Sequence, residues 1–271
     1  MIDLVQRARS RPLGDKELAE NLYLLQTQGY CAFPDFIDVA ECAELKRGLV
    51  HALETFQVRA AERSALDRYL IHDLLCQDID YARLLEDPRL QQIVAPLLGE
   101  HWIMYAFTSS SLPPRGNSYG SRIHVDCPRL VPGYAFNIGM IWALDEFSPE
   151  NGATKVLPGS HHSELVPSPE LFAENCAQMT CGRGTLIVFH ARLFHRAGDN
   201  QTDFWRHSLT MNACRAFAKQ RMDWVRFIPE SISSGLNSQA RRLIGFDTRL
   251  PTSLDEFFVP ESERLYKANQ G

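Results

Sequence analysis

Apolar positions recur at two different periods along this chain, and the change falls near residue 100. Residues 14–28 carry Leu18, Leu22, Leu24 and Leu25 among acidic and amide residues, a helical pattern that Gly29 stops. Tyr30 to Phe33 reads as a short strand ended by Pro34. Asp38 is placed to cap a long helix over about 39–63, whose Ala, Leu and Val spacing gives one core-facing stripe. A second helical block covers about 79–98, broken at Asp87-Pro88 and closed by Gly99.

Beyond His101 the texture is that of short strands joined by turns. Trp102 to Phe107 is strand-like, and Ser109 to Gly120, rich in Ser, Pro and Gly, reads as a loop. Tyr134 to Leu144 reads as a buried strand, followed by a polar loop with a turn at Asn151-Gly152. Thr154 to Leu157, Thr185 to Phe189 and His207 to Phe217 complete the strands. In the tail, Arg241 to Phe246 closes a helix, and the aromatic, acidic Leu254 to Tyr266 packs on the outside or covers a site. The order predicts a mainly β fold with flanking helices, a helix-backed sandwich or barrel. One domain is expected over 1–271: a helical part to about 100, a β core to about 217, then the tail.

Composition narrows the function. At 271 residues and 45% hydrophobic, the chain is long and apolar enough for a sizeable core. A net charge of −5 offers no basic footprint for nucleic acid or for an acidic membrane surface. The seven cysteines are scattered without a C-x-x-C pair, which argues against a disulfide framework and a structural zinc site. No secretory leader, spanning segment or peroxisomal address is read in the chain, so a cytoplasmic location is the default expectation. Nothing in the sequence decides between a monomer and a homodimer.

Candidate chemistry centres on His124-x-Asp126. On a strand, residues two apart share a face, so both side chains can aim at one point. A second imidazole would complete the two-histidine, one-carboxylate set that holds non-haem iron. His190 and His195 are the candidates, and, being five apart, they cannot share a face of a regular strand. A lone His-x-Asp is common by chance. Its weight comes from the text that follows it.

That text is Trp142-Ala-Leu-Asp-Glu-Phe-Ser-Pro-Glu-Asn-Gly-Ala-Thr154-Lys-Val-Leu-Pro-Gly-Ser-His161, then Gly184 through His195 to Asn200, then Arg206. Over residues 100–217 the chain resembles the phytanoyl-CoA dioxygenase family of Fe(II)/2-oxoglutarate oxygenases. The resemblance implies a double-stranded β-helix, or jelly roll, with Fe(II) at one mouth and 2-oxoglutarate and O2 as co-substrates. It implies His124, Asp126 and His195 as ligands, since the family's distal ligand lies eleven residues before its 2-oxoglutarate arginine, here Arg206. His190 is then structural. Arg206 would pair with the distal carboxylate of 2-oxoglutarate, with Ser208, on the same strand face, adding a hydroxyl. Thr154 matches a position that also holds the co-substrate, and Trp142 one that lines its pocket. Asn137 is a further candidate for that pocket.

Ser121 stands where members often carry Gln, which removes one contact. His161 and His162, as neighbours, diverge and read as structural; His207 faces away from Arg206. Related halogenases have a small residue in place of the carboxylate, so Asp126 implies hydroxylation, or desaturation or cyclisation. The substrate expected is a small molecule of natural-product type, with an acyl-CoA as the alternative. The rivals are a non-redox jelly-roll binding protein and a cupin-like isomerase, neither of which needs both the three ligands and Arg206.

Overall fold

The computed structural model describes residues 12–55, 69–246 and 250–264. The expected helical residues 56–63 and the tail residues 265 and 266 lie outside them.

The N-terminal elements follow the apolar spacing. Helix α1 (Asp15–Thr27) ends where Gly29 takes φ +90° and donates its N–H to the Leu24 carbonyl. A side chain at Gly29 would meet His161 Nδ1 at 2.6 Å, so the turn and the close packing both need glycine. Helix α2 (Val39–Thr55) opens on Asp38, whose carboxylate accepts the Glu41 N–H at 2.7 Å, and it buries Cys42, Leu45, Leu49 and Ala52. The block at 79–98 splits as the Asp87-Pro88 signal predicts. Helix α3 (Ile79–Arg83) and a 3-10 turn end before α4 (Pro88–Leu98), which has Asp87 as its cap and Pro88 in its first turn.

The strands form two antiparallel sheets. The larger has the order β1 (Tyr30–Phe33), β6 (Leu186–His190), β3 (Asn137–Ala143), β8 (Arg206–Cys214), β2 (Ile103–Leu112). The smaller has β5 (Ala177–Gln178), β4 (Lys155–Val156), β7 (His195–Arg196). Among the described residues the sheets stay separate, so the expected barrel is an open jelly roll. Ser109 to Leu112, expected in a loop, continue β2. The buried hydroxyls of Ser109 and Ser111 are satisfied within the fold, by the Ile71 N–H and by His207 Nδ1, so a polar run remains a strand. Helix α5 (Pro169–Asn175) lies between β4 and β5, and the tail adds α6 (Trp224–Phe227), α7 (Glu230–Ser233), α8 (Ser238–Ile244) and α9 (Leu254–Phe257), the last fully outside the core.

Strand parity sorts the residues. Ile138, Met140, Trp142, Val188, Leu209 and Met211 face the helices and join one large core. Ile141, Ala143, Ile187 and Phe189 face the smaller sheet, packing with Val156, Met179 and Leu193. Trp142, expected to line the co-substrate pocket, is therefore on the other side, fully buried, with its ring 5.6 Å from that of Phe107. A strand buried on both faces shows no alternation in sequence, so its inward parity was not readable.

Candidate active site

His124 lies outside the named strands. Its N–H donates to the His195 carbonyl, and its carbonyl accepts the His195 N–H, each at 3.0 Å. In such an antiparallel pair both side chains leave on the same face. The rings accordingly lie 4.2 Å apart. His195 sits on β7 opposite Val156, so this face is the inner one, between the sheets. The ring of Phe189 closes its other side at 4.9 Å.

Asp126 is not on the strand that the His-x-Asp spacing suggested. It sits in a bend, held by its N–H to the Ala191 carbonyl at 2.8 Å. The carboxylate still converges. Its Oδ1 is 3.6 Å from His124 Nε2 and 3.8 Å from His195 Nε2. The ligand atoms of all three residues lie within 4.8 Å of one another, and they form the one such cluster found among the described residues.

Each imidazole is oriented by its other nitrogen. His124 Nδ1 meets the Arg122 carbonyl at 2.7 Å, and His195 Nδ1 the Leu193 carbonyl at 3.0 Å. A carbonyl only accepts, so Nδ1 carries the proton and Nε2 presents its lone pair to the cluster. Burial lowers the pKa of His195, against the pull of Asp126, which keeps the ring in its ligating neutral form. Three mutually cis donors about 2.1 Å from one ion stand about 3 Å apart. Side-chain shifts of about 1 Å would close the set on a metal. Two nitrogens and one oxygen on one side suit ferrous iron and leave the opposite side open.

Arg206 opens β8 on the inner face, paired with Leu112 of β2. It is 2% exposed, its guanidinium lies 4.2 Å from the Phe147 ring, and its Nε is buried with no hydrogen-bond partner. Burial pushes its pKa down to about 10, Asp145 and Cys181 opposing, so it stays charged at neutral pH. Asp145 is itself engaged by Lys46 at 2.6 Å and by the His207 N–H at 2.9 Å, contacts that fix the start of β8. A buried guanidinium with an unpartnered nitrogen carries a desolvation cost that a ligand accepting its N–H would offset. A planar carboxylate fits that demand.

Thr154 is buried just before β4, two residues from inward-facing Val156. Ser208 shares the face of Arg206, but its hydroxyl proton goes to the Ser110 carbonyl at 2.9 Å, leaving only lone pairs for a ligand. Asn137 is 6% exposed, on the inner face, with Oδ1 unpartnered. The Ser121 hydroxyl accepts the Ser118 N–H at 3.2 Å. His207 points away, stacked on Trp205 and bonded to Ser111. His190 stands outside the cluster, its Nδ1 accepting the Arg192 N–H, and His161 and His162 both contact the Gln26 carbonyl at 3.0 Å. Sequence reasoning passed over Phe189 and Phe147, which back His195 and Arg206. An aromatic in an apolar strand carries no mark of what it touches.

Comparison with known proteins agrees with this geometry. The chain is 29% identical over 255 residues to an uncharacterized protein of Mycobacterium tuberculosis, covering 91% of this chain and 93% of that one. It is 24% identical over 250 residues to the dioxygenase cdmA of Talaromyces verruculosus, covering 82% and 81%. The crystal structure of EctD from S. alaskensis with bound Fe shares the fold at TM-score 0.64 and 23% identity, over 78% of this chain and 80% of that one. The epimerase SnoN in complex with Fe3+, alpha ketoglutarate and nogalamycin RO does so at TM-score 0.60 and 20% identity, over 79% and 90%. The sequence model of the phytanoyl-CoA dioxygenase (PhyH) family matches residues 25–208, most of the chain and all of the cluster. The chain belongs to the phytanoyl-CoA dioxygenase family and is an iron- and 2-oxoglutarate-dependent oxygenase.

Proposed function

We propose that the chain hydroxylates an unactivated C–H bond of a small molecule of natural-product type, with His124, Asp126 and His195 holding Fe(II) and Arg206 holding 2-oxoglutarate. The observation that carries the reading is the pairing of two features on one inner face. Three ligand atoms converge within 4.8 Å, and a buried arginine on the same side keeps its Nε without a hydrogen-bond partner. A binding protein without redox chemistry has no need of both.

Iron with 2-oxoglutarate, when bound, supplies activated dioxygen, and the co-substrate leaves as succinate and carbon dioxide. The chain's own residues do the rest. Arg206 fixes the distal carboxylate and so sets the direction from which the keto acid reaches the metal. The carbonyls of Arg122 and Leu193 hold both imidazoles in register. Phe147 and Phe189 keep water from the charged centre. Asp126 fills the third protein position with an anion, which favours hydroxylation over halide transfer. EctD crystals containing 2-oxoglutarate and 5-hydroxyectoine support small-molecule hydroxylation on this fold.

The test is succinate formation from 2-oxoglutarate with Fe(II) and O2, screened over terpenoid-like and polyketide-like scaffolds and phytanoyl-CoA. Asp126→Ala is expected to lose turnover by more than about 100-fold and to bind Fe(II) more weakly by calorimetry. Undiminished turnover in that variant would remove the assigned triad. Turnover with phytanoyl-CoA alone would move the substrate to the acyl-CoA class.

A further inference from the structure

We infer that Asn137 and Asn212 form the polar subsite for the primary substrate, taking a hydrogen-bond donor from it, so that the substrate is a hydroxyl- or amine-bearing small molecule. This rests on the oxygenase reading above.

The inner face of the larger sheet is divided. On β6 and β3 it carries Ile187, Phe189, Ile141 and Ala143, which the smaller sheet covers. On β8 and β2, register places Arg206, Ser208, Thr210 and Asn212 beside Leu112, Ser110, Thr108 and Ala106. This half is largely polar. Arg206 and Ser208 lie at the end assigned to 2-oxoglutarate, and Asn212 lies six residues further along.

Asn212 pairs with Gly139, and Asn137 pairs with Cys214, so the two asparagines are diagonal neighbours on adjacent strands. At such positions side chains are about 7 Å apart or less, within reach of one functional group. Both have a buried amide oxygen with no hydrogen-bond partner. A buried acceptor left unpaired costs about 1–3 kcal/mol, so two together are not neutral features of a core. Asn137 is also linked through the main chain of Ala191 to Asp126. The Asn137 carbonyl accepts the Ala191 N–H, and the Ala191 carbonyl accepts from Asp126. In the other direction, Gly139 is overlain by the Phe189 ring, which backs His195. From β8 to β6 is about 10 Å, a small-molecule length. Beyond Asn212, its strand partner Ala106 lines a cavity of about 180 Å³ with Thr108, Met222 and Trp224, and the buried Trp224 Nε1 is also without a partner. A skeleton gripped at the asparagines can extend there.

The experiment has two arms. In the first, Asn137→Leu and Asn212→Leu, which keep the branching and remove the unpaired oxygen, are melted as metal-loaded protein. A recognition role predicts a midpoint raised by roughly 2–4 °C for each; a midpoint lowered in both variants assigns the asparagines to the scaffold and overturns the proposal. In the second arm, small alcohols and amines are each compared with their O- or N-methylated counterparts as stimulators of 2-oxoglutarate turnover. Stimulation confined to the uncapped members, and reduced at least tenfold in Asn212→Leu, supports the subsite. Equal stimulation by capped members overturns it, and where no member stimulates, the melting arm decides. Absence of any Fe(II)-dependent succinate from the wild-type chain is a separate failure, of the oxygenase reading itself.

Discussion

Arg206 is the residue whose environment is least satisfied by the protein alone. Replacing it with alanine removes a buried charge and the partner of a carboxylate at once. The apparent affinity for 2-oxoglutarate is therefore expected to fall by about 2–5 kcal/mol, read as a raised KM for the keto acid. The melting midpoint of the ligand-free variant should hold or rise, because the charge stripped away is desolvated and its Nε is unpaired. A merely structural arginine would give the opposite split, a lower midpoint with KM unchanged. At this scale the sequence was most legible. His124, Asp126 and His195 stand together, and Arg206 lies on the inner face, the set that the family resemblance implied. Ser208 and Trp142 fared differently for local reasons. The serine's proton is taken by Ser110, and the tryptophan sits on the helix side of a strand with no visible alternation.

Among the elements, β3 and β6 set the position of the second histidine through one small residue. A Cβ on Gly139 would stand 2.1 Å from the Phe189 ring, which is 2% exposed and cannot swing into solvent. Gly139→Ala is expected to cost about 1–3 kcal/mol in chemical denaturation and to weaken Fe(II) binding, since the displaced ring presses on His195. Wild-type stability and metal affinity in this variant would show that the ring has room to move. The helices and most strands were readable because periodicity needs only a turn or two of chain to declare itself. Of the smaller sheet only β4 was, inside the expected Thr154 to Leu157. Its strands β4, β5 and β7 are two residues each, too short for any period, and they are defined by pairing with distant residues. Asp126 shows the same limit. Its approach to the histidines comes from a bend pinned to Ala191, not from strand spacing.

Across the whole molecule, several histidines are buried away from the cluster. Burial drives the pKa of His190 and of His207 down to about 4, and lowers that of His161. Well above pH 6.5 these rings are neutral folded and unfolded alike. As pH falls from about 6.5 toward 4 the unfolded chain takes up protons that the native rings refuse, so stability is lost across that window, on the order of 2–3 kcal/mol for each of the first two. Melting at pH 7 and pH 4.5 should show a smaller drop for His190→Gln than for the wild-type chain; equal drops would place the sensitivity elsewhere.

The reciprocal rung between His124 and His195 has a consequence for how the protein lives with scarce metal. Two of the three jaws are clamped by main-chain bonds that involve no ion. Loading iron is then a docking event rather than an act of folding, unlike small domains that collapse only around their metal. Chelation should leave an intact, empty chain that regains its catalyst on contact, so that a starved pool of this protein is a reserve and not debris.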